Sequence, residues 1–319
     1  MSDPVSPDVL DFVIPTALDG VRVDRAVALL TGRSRSEVAN LVTRERVEVN
    51  GRPARRAADA LHTGDRVTVT PFAELTDEVH PDPDVVVTVV AEAPDYVVVD
   101  KAAGVVVHPG AGQREGTLIA GLLARYPEIV ELGEEAGSDP GRPGVVHRLD
   151  KGTSGLLVVA RTARGRDSLV GQLSARTVRR VYVGLVEGHL AHERGVVDAP
   201  IGRSANEPTR MAVRVDGREA RTHYEAIARL DEPATTLVRL RLETGRTHQI
   251  RVHMASIGHP VVNDTRYGHR RDRRLADGRF FLHAAHLGFV DPGTGEDVSW
   301  TSDLPSDLAA VLGEAAQAL

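Results

Sequence analysis

The sequence predicts an α+β protein in two unequal parts, and three observations lead there. A compact stretch from Val21 to Thr70 passes from helical to alternating periodicity, and residues 71–84 are rich in proline and acids. Beyond Val85, short apolar runs of strand character recur between turns punctuated by glycine and arginine. With 319 residues there is room for a small module and one large domain. The boundaries read as a flexible lead 1–16, a module 17–75, a linker 76–84 and a larger domain 85–319.

Composition narrows the chemistry. The chain has no cysteine, which excludes disulfides and thiolate metal sites. No apolar run approaches the ~20 residues of a membrane span, and the N-terminus is acidic rather than basic and apolar. The expectation is a soluble, cytoplasmic protein. The net charge of -6 hides a segregation of charge along the chain. Segments 1–20, 71–84 and 291–319 together hold 15 acids and no lysine or arginine, whereas 21–70 carries ten arginines against six acids and 161–180 six against one. Local patches, not totals, meet phosphates.

Taken in order, residues 1–16 read as a loose acidic lead. Val23, Ala26, Val27 and Leu30 fall on one face of a helix. Ser34-Arg35-Ser36-Glu37 reads as a capping box that opens a second helix, with Val38, Leu41 and Val42 inside. Val47-Glu48-Val49 is a strand turned by Asn50-Gly51, and Arg66 to Val69 is a later partner. Val85–Val90 and Tyr96–Val99 read as strands. Gly110 to Gly116 misses the spacing of a dinucleotide loop and lacks the lysine of a P-loop, so neither cofactor is implied.

The run Arg142 to Ala160 carries the most chemistry. An extended Val145–Asp150 puts Arg148 and Asp150 on one face and Val145, His147 and Leu149 on the other. Lys151 to Gly155 reads as a turn, and Leu156 to Ala160 as a strand buried on both faces. The acid then stands at the rim of a core strand, a rigid mounting. Taken alone, an Arg-x-Asp at a strand end describes a structural ion pair more readily than a catalyst. Further on, Arg180, Tyr182 and Gly184 share one face of a strand. Val238 to Leu242 alternates as another, and the segment after it reads as a helix capped by Thr247 and closed by Gly258. On that helix Ile250, Met254 and Ile257 form the core stripe, with His248 and Arg251 on another face. Residues 304–319 read as a terminal helix. The histidines lack the His-Glu-x-x-His arrangement, so hydrogen-bonding roles describe them better than metal ligation.

The string Arg142-x-Gly144-x-Val146-His147-Arg148-Leu149-Asp150-Lys151-x-Thr153-Ser154-Gly155-Leu156 resembles the catalytic-aspartate motif of the RluA/RluD-type pseudouridine synthases. Leu242-x-Thr244-Gly245-Arg246-x-His248-Gln249-Ile250-Arg251 is similar to a second motif of that family. Residues 21–70 resemble the S4 RNA-binding module placed ahead of the catalytic domain in RluD-type enzymes. Two departures are Glu45, where the module often has glycine, and Ala102, where similar proteins carry proline.

The resemblance implies a mixed, largely antiparallel sheet with the active-site cleft across one face. It makes Asp150 the catalytic carboxylate, Arg251 its ion-pair partner and Tyr182 the active-site tyrosine that stacks on the target base. It makes Arg148 the residue that enters the RNA stack as the uridine leaves. His147, Leu149, Lys151, Thr153, Arg246 and His248 become supporting residues, and Arg33, Arg35, Arg44 and Arg55 a surface that tracks phosphates. The implied reaction breaks the N1–C1′ bond of uridine, turns the uracil and joins C5 to C1′, with no cofactor and no metal. A monomer acting on structured RNA follows, with large-subunit (23S) ribosomal RNA ahead of a transfer RNA. Rival readings are a non-catalytic S4 protein, which has no need of Asp150, Tyr182 and Arg251 together, and a nucleoside hydrolase, which calls for more than one acid in the central motif.

Overall fold

The protein is described by a computed structural model covering residues 9–32, 35–70, 79–110, 113–134, 139–207, 209–268, 273–313 and 315. Arg33, Ser34 and residues 71–78 of the acidic stretch lie outside these. The chain divides into two compact units, 1–76 and 77–319.

The first unit runs β1 (Leu10–Val13), α1 (Val23–Thr31), α2 (Arg35–Thr43), β2 (Val47–Val49), β3 (Arg52–Pro53) and β4 (Arg66–Val69), with sheet order β1-β4-β2-β3. Val23, Ala26 and Val27 of α1 and Val38, Leu41 and Val42 of α2 pack on Val47, Leu61, Val67 and Val69. Asn50 (φ 53°) and Gly51 (φ 72°) make the expected turn between β2 and β3. The Asn50 amide fixes that turn by donating to Asp65 at 2.8 Å and accepting from the Arg66 N–H at 2.9 Å.

Part of the supposedly loose lead is a strand. Residues Leu10–Val13 pair antiparallel with β4, and Ile14 behind them is 1% exposed. Leu10 and Phe12 face the core, while Asp11 on the other side ion-pairs with Arg66 across the ladder. The segment folds because β4 offers it an edge, which its own acidic composition does not reveal. Glu45 has φ 56°, so the position where similar modules carry glycine does demand a left-handed residue here, at a cost glutamate must bear.

The second unit opens with β5 (Thr88–Glu92), β6 (Tyr96–Lys101), α3 (Leu118–Arg125), α4 (Glu131–Glu134), β7 (Ser154–Ala160), α5 (Ala163–Ser174) and β8 (Arg179–Glu187). It continues through β9 (Arg194–Asp198), β10 (Ile201–Arg203), β11 (Met211–Val213), β12 (Arg221–Asp231), β13 (Ala234–Leu242), α6 (Gln249–Ser256), β14 (Leu282–Val290), β15 (Asp297–Thr301) and α7 (Ser306–Leu312). A nine-stranded sheet has the order β5-β6-β7-β14-β8-β13-β12-β9, with β15 also on β14. Its pairings are antiparallel apart from β7 with β14, as a mixed and largely antiparallel sheet requires. Alternation divides the core between two faces. Val97 and Val99 of β6 join α3 and α6 on one, and Tyr96 and Val98 join Leu169 of α5 on the other.

Three local expectations need correction. Val145–Asp150 is not a strand but an extended loop with a single bridge, Val145 to Val159. The loop is fastened at two points instead of by a ladder. The Ala160 N–H donates to the Gly144 carbonyl at 2.9 Å, and the Val158 N–H donates to His147 Nε2 at 3.2 Å, an imidazole standing in for a backbone acceptor. The helix after β13 is capped at His248 (φ 56°), not Thr247, and Ile257 is 38% exposed rather than part of the core stripe. The terminal helix is α7 alone, and residues 314 and 316–319 lie outside the described ones.

Asp95 anchors α5 to the sheet. Its buried carboxylate accepts from Thr162 Oγ1 at 2.6 Å and from Arg164 at 3.1 Å, and the Arg164 guanidinium holds it below the usual carboxylate range. A lowered folded pKa means stability that is present above the unfolded value of 3.8 and disappears as pH falls through the folded one. Asp95→Asn is therefore expected to cost on the order of 1–3 kcal/mol at pH 7. Denaturant melts across pH should show the difference from wild type shrinking once the pH drops below 3.8.

Candidate active site

Asp150 stands in the loop that leads into β7 and lines a cleft of ≈ 530 Å³. Three elements remote in sequence converge on that cleft: the 145–150 loop, the start of β8 with Arg180 and Tyr182, and the turn and helix from Leu242 to Arg251. Leu149, Leu242 and Ile250 supply apolar walls.

The central contact is between two charged groups. Arg251 Nη1 donates to Asp150 Oδ2 at 3.0 Å, across 101 positions of sequence, with the two side chains 8% and 16% exposed. Arg251 is itself held from behind. Its Nε and Nη2 form a two-pronged contact with Asp264, at 2.6 and 2.9 Å, and Asp264 is 1% exposed. Its flat guanidinium lies 4.2 Å from the Phe280 ring centre and 5.0 Å from that of Tyr267. Burial pulls the Arg251 pKa down, but the Asp264 hydrogen bonds and the charges of Asp150 and Asp264 outweigh it, leaving the group above its ordinary value. The cation is permanent, and its aim is fixed by the acid that does not face the cleft.

Two titratable neighbours are kept neutral. Burial pushes the Tyr182 hydroxyl up to about 12, with Arg180 opposing and Asp150 adding to the shift, so at neutral pH it is an O–H donor. Burial, aided by Arg180, pulls His147 down to about 3. That imidazole is neutral and its Nε2 accepts from the backbone, so it mounts the loop. Burial also lowers His248, whose Nδ1 is hydrogen-bonded to the Tyr267 hydroxyl at 2.8 Å. Tyr267 in turn accepts from the Met211 N–H at 3.0 Å.

Most of the residues singled out in the sequence do line the cleft: Arg148, Asp150 and Tyr182, together with Arg251, Arg246 and His248. His147, Leu149 and Thr153 line it too. Arg148 is exposed at the rim and makes no hydrogen bond or ion pair among the described residues. Lys151 is different. Its ammonium is exposed and donates to Gln113 at 3.0 Å, while its carbonyl accepts from the Gly104 N–H at 2.7 Å. In the first unit Arg35 is exposed but shares the buried Asp24 carboxylate with Arg22, at 2.9 and 3.0 Å. Arg44 and Arg55 are exposed, and Arg33 is outside the described residues.

Asp264 escaped the sequence reading. Its signal was slight: an Asn-Asp pair after the apolar Pro260-Val261-Val262, in which Asn263 takes φ 62°. Lys101 escaped as well, although it is 1% exposed. Its ammonium donates to the carbonyls of Ala102 and Val105, at 2.8 Å each, and burial draws it down to about 7 against the pull of Asp150 and Asp100. Together with Gly104, it secures the backbone beside Asp150.

Comparison with known proteins agrees with this geometry. The profile of the RNA pseudouridylate synthases matches residues 95–256, and that of the S4 domain matches residues 21–67. An uncharacterized RNA pseudouridine synthase of Chloroflexus aurantiacus is 45% identical over 94% of this chain and 92% of its own. A ribosomal large subunit pseudouridine synthase D of Nitrosomonas europaea is 40% identical over 96% and 87%. Among solved structures, human RNA pseudouridylate synthase domain containing 1 superposes with a TM-score of 0.55 at 27% identity, over 73% of this chain and 90% of that one. The chain belongs to the RNA pseudouridylate synthase family, whose members are isomerases, and carries an S4 domain ahead of the synthase domain.

The geometry ranks three substitutions by stability. Arg251→Ala strands a fully buried Asp264, and Asp264→Asn leaves Arg251 with the cleft acid alone; each should cost on the order of 3–5 kcal/mol. Asp150→Asn leaves the Arg251 to Asp264 pair whole and should change stability by about 1 kcal/mol or less. Denaturant unfolding of the three variants is the measurement, and an Asp150→Asn loss as large as that of Asp264→Asn contradicts the assignment of Asp264 as the anchor.

Proposed function

We propose that the protein converts uridine to pseudouridine in a folded segment of large-subunit ribosomal RNA, in the cytoplasm, with Asp150 as the reacting carboxylate. The observation that carries the role of Asp150 is its position: one face of the carboxylate is pinned by a preorganised Arg251 and the other opens into the cleft beside Tyr182. Two chemical routes use such an acid, attack on the nucleotide and removal of a sugar proton. Both need a carboxylate held still in a largely dry site, and Arg251 holds this one through a hydrogen bond of 3.0 Å. Tyr182 offers a ring to the uracil and a hydroxyl that stays protonated at working pH.

The target base must leave its stack first, at a cost on the order of a few kcal/mol. An exposed arginine without partners at the cleft rim suits a filler for the space the base vacates, and Arg148 is that residue. The ribosomal assignment rests on the names of relatives such as the Nitrosomonas europaea protein and on the S4 domain, whose exposed arginines suit phosphate geometry rather than base sequence.

Asp150→Asn and Asp150→Ala are expected to abolish product while RNA affinity stays within a few-fold, as measured by pseudouridine mapping and filter binding. Product from purified Asp150→Ala removes the carboxylate from the mechanism. Arg148→Ala is expected to slow a structured stem-loop more than a short single strand, and equal losses on both would make Arg148 a structural residue. Deletion of residues 1–76 should leave chemistry intact but lower efficiency and flatten the slope of log affinity against log salt. Mapping pseudouridines in total RNA from cells with and without the gene identifies the sites, and modification confined to transfer RNA would replace the ribosomal substrate.

A further inference from the structure

Among the described residues, Arg180 is a buried cation without a counter-ion. It belongs to the stretch 161–180, with six arginines against one acid, which on sequence alone is the most basic part of the catalytic domain. The fold neutralises five of the six. Arg161 pairs with Glu128, Arg164 with Asp95, Arg166 with Asp167, Arg176 with Glu219 and Arg179 with Asp297. Arg180 alone meets no carboxylate among the described residues, and it is the most buried of the six, at 6% exposure. Its one hydrogen bond runs from Nη2 to the Glu243 carbonyl at 3.2 Å, and its buried Nε has no partner.

Such an arrangement is costly. A guanidinium stays protonated at any working pH, and a buried charge without a partner destabilises the fold that holds it. Arg251, the other deeply buried cation of the cleft, shows how the protein solves that problem elsewhere, with two carboxylates. At Arg180 the neighbours are Tyr182, neutral His147 and a glycine, and none offers negative charge. The glycine keeps the end of the side chain uncovered: a Cβ on Gly245 would lie 2.8 Å from Arg180 Nη1, an atom with no hydrogen bond of its own. Arg180 and Tyr182 alternate on one face of β8, about 7 Å apart along the strand, and both line the cleft that holds Asp150. A spacing of about 7 Å is comparable to that between a base and the phosphates of its own nucleotide, so a base against Tyr182 would bring a flanking phosphate toward that guanidinium.

We propose that Arg180 binds a backbone phosphate of the RNA substrate, donating to a non-bridging oxygen of a phosphate next to the uridine being isomerised. The inference rests on the RNA substrate of the proposed function and adds the group that holds the flipped nucleotide by its charge. A phosphate fits the fork of the guanidinium and supplies the missing counter-charge, whereas a uracil carbonyl would leave the charge uncompensated.

The test uses the full-length protein and synthetic stem-loops containing the mapped uridine. A single neutral methylphosphonate is placed in turn at each of the three linkages around the target, each compared with a control RNA carrying the same 2′-O-methyl sugar. Wild type is expected to lose on the order of 10–100-fold in kcat/KM at one linkage, and Arg180→Met a similar factor on the unmodified RNA. At that linkage the two changes should not multiply: Arg180→Met should be indifferent to the methylphosphonate, and Arg180→Lys should recover part of the loss. Losses that multiply, or a wild type indifferent at all three linkages, overturn the inference and leave the proposed function standing. Should Arg180→Met not fold, Gly245→Ala, which crowds Nη1, replaces it and should show the same insensitivity. A wild type that makes no pseudouridine in any RNA overturns both readings.

Discussion

The site depends on one guanidinium shared by two acids. Arg251 meets Asp264 through two parallel hydrogen bonds and Asp150 through a single one, and Phe280 and Tyr267 flank its plane. The division is physically sensible. Two charge-assisted bonds to a fully buried acid fix the plane and direction of the guanidinium, so that the remaining nitrogen presents a fixed charge to the cleft. The acid that lines the cleft is held by its partner without being enclosed by it. Three stretches far apart in sequence are brought to that contact by the sheet, and the 242–251 segment contributes because His248 adopts a left-handed conformation at the start of α6.

Strained or unusual backbone gathers around the same place. His248 and Asn263 both have positive φ and both lie next to residues that hold Arg251 or the cleft. Asn263 is compensated by side-chain bonds, its amide donating to the Arg279 carbonyl at 2.6 Å, and so leaves Asp264 oriented toward Arg251. Conformations of this kind cost on the order of 1–3 kcal/mol each and persist where surrounding contacts over-determine them.

Charge in this protein is decided by pairing. A total of -6 argues against a nucleic-acid partner, and the local excess of arginine in 161–180 argues for one, yet both are counts of formal charge along a line. In three dimensions the arginines of that stretch are mostly tied to acids from Asp95 to Asp297. At the cleft itself Arg148 is exposed and Arg180 buried, and among the described residues neither is paired with an acid.

The order of motifs, the α+β class and the Asn50-Gly51 turn were legible in the sequence, because they depend on local spacing. Asp150, Tyr182 and Arg251 were singled out by the resemblance of whole motifs, and the fold brings the three to one cleft. Tertiary structure decided the rest. The Leu10–Val13 strand exists because β4 offers an edge, and the Asp150 loop stays a loop because His147 and Gly144 fasten it to β7 without a ladder. Asp264 gained its place in the site from a guanidinium 13 positions away, and Arg180 is buried with its Nε unpartnered among the described residues. Pairing and burial are properties of positions in space, so a linear pattern names the groups but not the partners that give them their charge and direction.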